Sequence, residues 1–217
     1  SMEEDRYTAL LAWAVSPRPG LQSPSLACQN ALLREAGVPV CLQEPLQVRP
    51  WLPTDEGVYP DLVLHDERLL VVVEAKTRSA EHEAGRTGRM QTEAYLDAAR
   101  ASLRMDSTVS GHTIFLTANG AAAANAAARS VTYSQLALGF AKALAPLELE
   151  PDVRFAYATI ITHWIEQTCA PGKELRPSCL RAASWLKASD QDLLRDLDTI
   201  IGLENAWPLG RIDHDDV

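Results

Sequence analysis

The sequence predicts an α/β protein: a central mixed β-sheet of about four or five strands, flanked by helices, with a C-terminal helical extension. Three observations carry this reading. Two apolar runs, Asp61-Leu62-Val63-Leu64 and Leu69-Leu70-Val71-Val72-Val73, flank the polar link His65-Asp66-Glu67-Arg68 and read as a β-hairpin. The second run has no polar alternation, which is the pattern of a strand covered on both faces. Apolar residues at helical 3-4 spacing stand before and after the hairpin.

The elements follow in order. Glu3 to Val15 reads as a helix, with Tyr7, Leu10, Leu11 and Ala14 on one side, ended by Ser16-Pro17-Arg18-Pro19-Gly20. Ser23 or Ser25 is placed to cap a second helix over Pro24 to Ala36, which Gly37 stops. Val38 to Val48 is expected as the first strand, and Pro50 to Gly57 as a loop before the hairpin. Asp66 and Glu67 are read as turn residues, since turns collect Asp for backbone reasons. Thr77 to Thr87 is polar and suits a loop at the mouth of a site. A helix is predicted from Arg89 to Leu103, a strand from His112 to Thr117, and a turn at Asn119-Gly120. Ala121 to Ala128 has no large apolar residue to dock it, so it reads as a loop without chemistry. Thr132 then caps a helix through Ala143, with Leu136, Phe140 and Leu144 inward and Pro146 as its stop. Val153 to Thr168 (Phe155, Ile160, Ile161, Trp164 on its apolar side) and Ser178 to Ile201 are further amphipathic helices. They are available to cover the sheet or to meet a second copy or a protein partner. Residues 3–146 are expected as the core, 147–205 as a helical extension of the same domain, and 206–217, with Asp213-His214-Asp215-Asp216, as a tail.

Composition narrows the class. A chain of 217 residues, 47% hydrophobic, is long enough for one substantial core. It holds no apolar run of membrane-spanning length, and its acidic N-terminus shows no signal peptide, so a cytoplasmic protein is expected. Ser1 before Met2 reads as a remnant of tag removal. Cys28, Cys41, Cys169 and Cys179 are scattered without a Cys-x-x-Cys pair, which argues for reduced thiols rather than zinc. His112 and His163 read as core or surface residues. A net charge of −9 excludes a nucleic-acid coat held by phosphate contacts alone, yet an acidic metal site fits it. Arg78, Arg86, Arg89, Arg100 and Arg104 follow the hairpin as a local basic cluster; the first three are the candidates to meet nucleic acid.

The chemistry sits where the buried strand ends, at Glu74-Ala75-Lys76. Residues i and i+2 of a strand share a face, so Glu74 and Lys76 project together and the hairpin brings Asp61 beside them. Two carboxylates gathered there are costly without a cation. A carboxylate pair plus a lysine is the donor set of a divalent-metal site for phosphodiester hydrolysis.

Pro60-Asp61 followed by Glu74-Ala75-Lys76 resembles the motif of the PD-(D/E)XK nuclease superfamily, the restriction-endonuclease-like fold. Gln91 and Tyr95 are similar to the Gln-x-x-x-Tyr signature of several of its branches. Glu4-Asp5-Arg6-Tyr7-Thr8 resembles an N-terminal segment of bacterial members. Phe115-Leu116-Thr117, Asn119-Gly120 and Val131-Thr132-Tyr133 resemble the pieces that follow. The likeness covers roughly residues 3 to 145. It implies a Mg²⁺- or Mn²⁺-dependent nuclease acting on nucleic acid, DNA foremost. Asp61, Glu74 and the Ala75 carbonyl would hold the metal, joined by Glu4 or its rival Glu35. Lys76, Gln91 and Tyr95 would complete the catalytic set. The alternative is the same fold with a silent pocket, kept as a nucleic-acid or protein binding module.

Overall fold

The computed structural model describes residues 2–77, 81–84, 88–118 and 120–169, without the side chains of 2–4, 6 and 165–169. The elements run α1 (Met2–Val15), α2 (Gln22–Glu35), β1 (Gln47–Pro50), β2 (Leu62–His65), β3 (Leu69–Lys76), α3 (Gln91–Ser102), β4 (Ser110–Thr117), β5 (Arg129–Thr132), α4 (Tyr133–Leu144) and α5 (Pro151–Cys169). The predicted class holds: a five-stranded mixed sheet flanked by helices. Strand order follows the chain, β1 to β5. β1, β2 and β3 are antiparallel; β3, β4 and β5 are parallel. α3 makes the crossover between β3 and β4 and packs on both, and α1 lies against β1 and β3.

The hairpin forms as its sequence requires. Asp66 Oδ1 accepts the backbone N–H groups of Arg68 and Leu69, each at 2.7 Å, which closes the turn. Every residue of β3 is buried. Leu70 and Val72 pack with Val63, Ala94, Tyr95 and Ala98 under α3, while Leu69, Val71 and Val73 alternate to the other face.

Two local expectations fail for identifiable reasons. β1 starts at Gln47, not Val38. The intervening backbone is taken by amide side chains of α2. Asn30 accepts from Leu42 N–H at 2.7 Å and donates to its carbonyl at 3.1 Å. Gln29 pairs with Leu46 in the same way, at 2.7 and 3.0 Å. Each amide imitates a neighbouring strand, so residues 38–46 satisfy their polar groups without joining the ladder. α2 begins at Leu21 without a side-chain cap; Ser25 instead donates to the Ser16 carbonyl at 2.7 Å. Gly37, at φ 66°, ends α2 in the left-handed conformation expected there.

The chain divides into two compact units, the first ending at Thr132 and the second beginning at Tyr133. In the second, α4 packs on α5, with Trp164 against Tyr133 and edge-on to Phe140, at centroid distances of 6.2 and 5.2 Å. That aromatic contact explains why α4 belongs with α5. Leu136, Phe140 and Leu144 are buried as predicted, whereas Phe155 is exposed. The helix predicted over Ser178 to Ile201, the tail, Cys169 and Cys179 lie outside the described residues or side chains. No helix among the described residues is long and apolar enough to cross a membrane.

Candidate active site

β2 and β3 place the acids by register. Leu62 pairs with Val73, so the next step along the ladder sets Asp61 opposite Glu74. Asp61 is fixed there: its Oδ2 accepts the Ala75 backbone N–H at 2.8 Å. Glu74 and Lys76 alternate with Ala75 and therefore share the α3 face with Val72.

Glu74 is the unusual member. Its residue is 1% exposed, and the charged groups beside it are Lys76 and Asp61. Lys76 Nζ stands 2.6 Å from Glu74 Oε1 as an ion pair. Burial pushes the Glu74 carboxyl well above the usual glutamate range; the Asp61 charge pushes the same way, and Lys76 opposes both. A carboxylate so placed is under-compensated by the protein alone.

α3 supplies the polar wall. Gln91 Nε2 donates to the Tyr95 hydroxyl at 2.8 Å, across one helical turn. The Tyr95 hydroxyl is raised above its ordinary value by burial and then by the negative charge of Glu74, with smaller contributions from Asp61 and Glu81. Tyr95 thus senses both candidate acids, and Gln91 holds Tyr95. Asp61, Glu74 and Lys76 gather at the end of the hairpin, and Gln91 and Tyr95 pair on α3, all within the first unit.

The other described candidates are engaged elsewhere. Glu35 pairs with its neighbour Arg34 on the surface of α2, at 3.2 Å. Arg89 is engaged by Asp97 at 3.2 Å and by the Glu93 carbonyl. Arg100 donates to the carbonyls of Asp106 and Val109, bracing the turn into β4, and Arg104 is the left-handed residue ending α3. Arg78, Arg86 and the Glu4 side chain lie outside the description.

Two residues escaped the sequence reading. Glu81 Oε1 accepts the Thr92 N–H and hydroxyl, both at 2.6 Å, which caps the first turn of α3 from outside the helix. Its Oε2 accepts the Ala124 N–H at 2.7 Å. Asn125 joins from the same segment, donating to the Thr92 carbonyl at 2.9 Å. The alanine-rich loop is therefore a clamp on the helix that presents Gln91 and Tyr95. An acid eleven residues before its partner leaves no local spacing signal, whereas Asn125 interrupting the alanines was a visible one.

For a hard divalent cation the donor set fits. Magnesium uses one or two carboxylates and fills its remaining positions with waters or phosphate oxygens. Asp61, Glu74 and the Ala75 carbonyl would supply such donors, and a cation there would offset the burial of two neighbouring acids. Among the described residues no group of three or more His, Cys, Asp or Glu side chains gathers. No family model, no curated protein and no solved structure matches this chain.

Proposed function

We propose that this protein hydrolyses phosphodiester bonds in nucleic acid, DNA foremost, using Mg²⁺ or Mn²⁺, as a member of the PD-(D/E)XK nuclease superfamily. One observation carries the reading: a buried Glu74 carboxylate with a second acid, Asp61, opposite it and one lysine, Lys76, alongside. Protein interiors keep such a group only where something else offsets its cost, and a hard cation does so. Asp61, Glu74 and the Ala75 carbonyl would hold the ion. When bound, it supplies Lewis acidity toward phosphoryl oxygen and water.

The side chains do the rest. Lys76 carries a compact positive charge on the α3 face, suited to neutralising charge that builds on the phosphate. Asp61 is oriented through the Ala75 N–H, so its carboxylate needs no reorganisation on binding. Tyr95 keeps its proton at neutral pH and is a donor rather than a base. Gln91 positions Tyr95, and Glu81 positions the helix turn that bears Gln91. Free thiols at Cys28 and Cys41 agree with a reducing cytoplasm.

The test is incubation with labelled DNA and RNA forms plus Mn²⁺, beside a Lys76→Ala control. Cleavage by the wild type and its loss in Lys76→Ala are expected. Undiminished cleavage by a folded Lys76→Ala protein overturns the assignment. The silent binding module is favoured by one feature, the Glu74–Lys76 pair closing on itself at 2.6 Å. It predicts no thermal stabilisation by Mn²⁺, whereas a competent site gains stability from metal bound to the folded state.

A further inference from the structure

In the first unit, two large apolar side chains among the described residues are exposed, Trp51 at 39% and Tyr59 at 58%. Both flank Asp61. The β1–β2 register, Arg49 with Val63 and Pro50 with Leu62, continues one step as Trp51 N–H donates to the Asp61 carbonyl at 3.0 Å. Tyr59 stands two residues before Asp61 in the chain. Residues 61 and 63 alternate to the same side of β2, and Val63 packs under α3. Arg49, paired with Val63, thus belongs to the face that carries Asp61 and Glu74. β1 is the edge of the sheet, and here that face is open.

The segment bearing the aromatics is held firmly. Val58 is buried in the α3 cluster with Leu52 against it. Thr54 Oγ1 donates to the Val58 carbonyl at 2.8 Å and accepts its N–H at 3.2 Å. Trp51 itself has φ 47°, a left-handed conformation that a bulky side chain rarely adopts. An exposed tryptophan kept in a disfavoured conformation beside a candidate catalytic acid calls for a functional reason.

We propose that Arg49, Trp51 and Tyr59 form a strip that takes single-stranded nucleic acid, the two aromatics stacking on unpaired bases and Arg49 meeting a phosphate. The proposal rests on the phosphodiesterase reading of the Asp61–Glu74 site and names the form of its substrate. Stacking needs free base faces, which a duplex hides and a single strand offers. A chain of net charge −9 gains little from phosphate contacts, so a salt-insensitive contribution is what it needs. Arg49 is exposed and, unlike Arg89, has no ion pair among the described residues. A peptide strand added to the edge is the poorer occupant, because Pro50 removes a donor from β1.

The experiment is fluorescence anisotropy of the full chain in metal-free buffer. The probes are a labelled oligothymidylate, the RNA form of the same oligomer, and a duplex of equal length. A single strand, as DNA or RNA, is expected to bind tighter than the duplex. Trp51→Ala and Tyr59→Ala are each expected to weaken that binding about tenfold, with melting curves unchanged for Tyr59→Ala. Arg49→Gln is expected to flatten the salt dependence of log K by about 0.7. Preference for duplex, or equal binding by the Trp51→Ala/Tyr59→Ala double variant, overturns the strip. So does a self-association of the wild type that the double variant loses in place of oligomer binding. Cleavage that persists while the double variant binds normally removes the strip and leaves the phosphodiesterase. Aromatic-dependent binding without any Mn²⁺-dependent cleavage does the reverse.

Discussion

The two halves of β3 are buried alike and held by opposite forces. Leu69 to Val73 is aliphatic, and each side chain meets other apolar groups across the hairpin or under α3. Glu74 and Lys76, at 1% and 5% exposure, occupy the same strand, yet their burial is a cost. The aliphatic half stabilises by removing apolar surface from water. The charged half is taken out of water with the Glu74–Lys76 ion pair in return. Equal burial therefore carries two meanings, and charge tells them apart: the first half builds the fold, and the second is the part on which the proposed function rests.

The sharpest test exchanges the two characters. Glu74→Gln is expected to reduce Mn²⁺-dependent cleavage on the order of a thousandfold, measured as kcat/KM on a labelled oligonucleotide. Leu70→Ala, four residues before Glu74 on the same strand, is expected to destabilise by about 2–5 kcal/mol in urea unfolding while leaving the folded fraction active. Replacing the pair with Leu at 74 and Met at 76 should stabilise the protein by about 1–4 kcal/mol, since a buried ion pair is exchanged for packing. A loss of stability in that double variant would mean that the pair holds the fold, and the contrast between the halves would collapse.

pH sharpens the same comparison. The Glu74 carboxyl is raised in the folded state, so the folded chain keeps a proton that the unfolded chain releases. That contribution is whole below the ordinary glutamate range and is lost as pH climbs through the raised value. A cation displaces the proton, so stabilisation by Mn²⁺ should grow with pH, to roughly 2–3 kcal/mol at a hundredfold excess over Kd. Thermal shifts at a series of pH values, with Glu74→Gln as the flat control, check this. A Mn²⁺ shift that ignores pH would place the ion elsewhere.

Glu81→Ala comes next. It removes the outside cap of α3 and should cost about 1 kcal/mol, with a roughly tenfold fall in kcat as Gln91 and Tyr95 lose their setting. If only stability changes, Glu81 serves the helix alone. The smallest effect is expected at Arg89→Ala, whose exposed pair with Asp97 is worth under about 1 kcal/mol. A large drop in oligonucleotide binding there, by anisotropy, would restore Arg89 as a substrate contact.

Much of this was legible beforehand. The hairpin followed from two β-branched runs around an Asp-bearing turn, and Asp66 closes that turn as its chemistry suggests. Strand alternation puts Glu74 and Lys76 on one side from sequence alone, and the observed register sets Asp61 opposite Glu74. β1 was misplaced because Gln29 and Asn30 act at a distance in sequence, and propensity cannot see a side chain standing in for a strand. Glu81 was missed for the same reason, and the alanine loop was undervalued because its anchor is Asn125 rather than an apolar residue.

Periodicity and turn chemistry act between near neighbours, so the chain by itself determined its helices, its hairpin and the three charged groups at the hairpin's end. Desolvation depends on what distant segments place overhead. Only the tertiary structure decided that Glu74 is buried beside Asp61 and Lys76, that Glu81 clamps α3, and that Trp51 and Tyr59 are exposed beside Asp61.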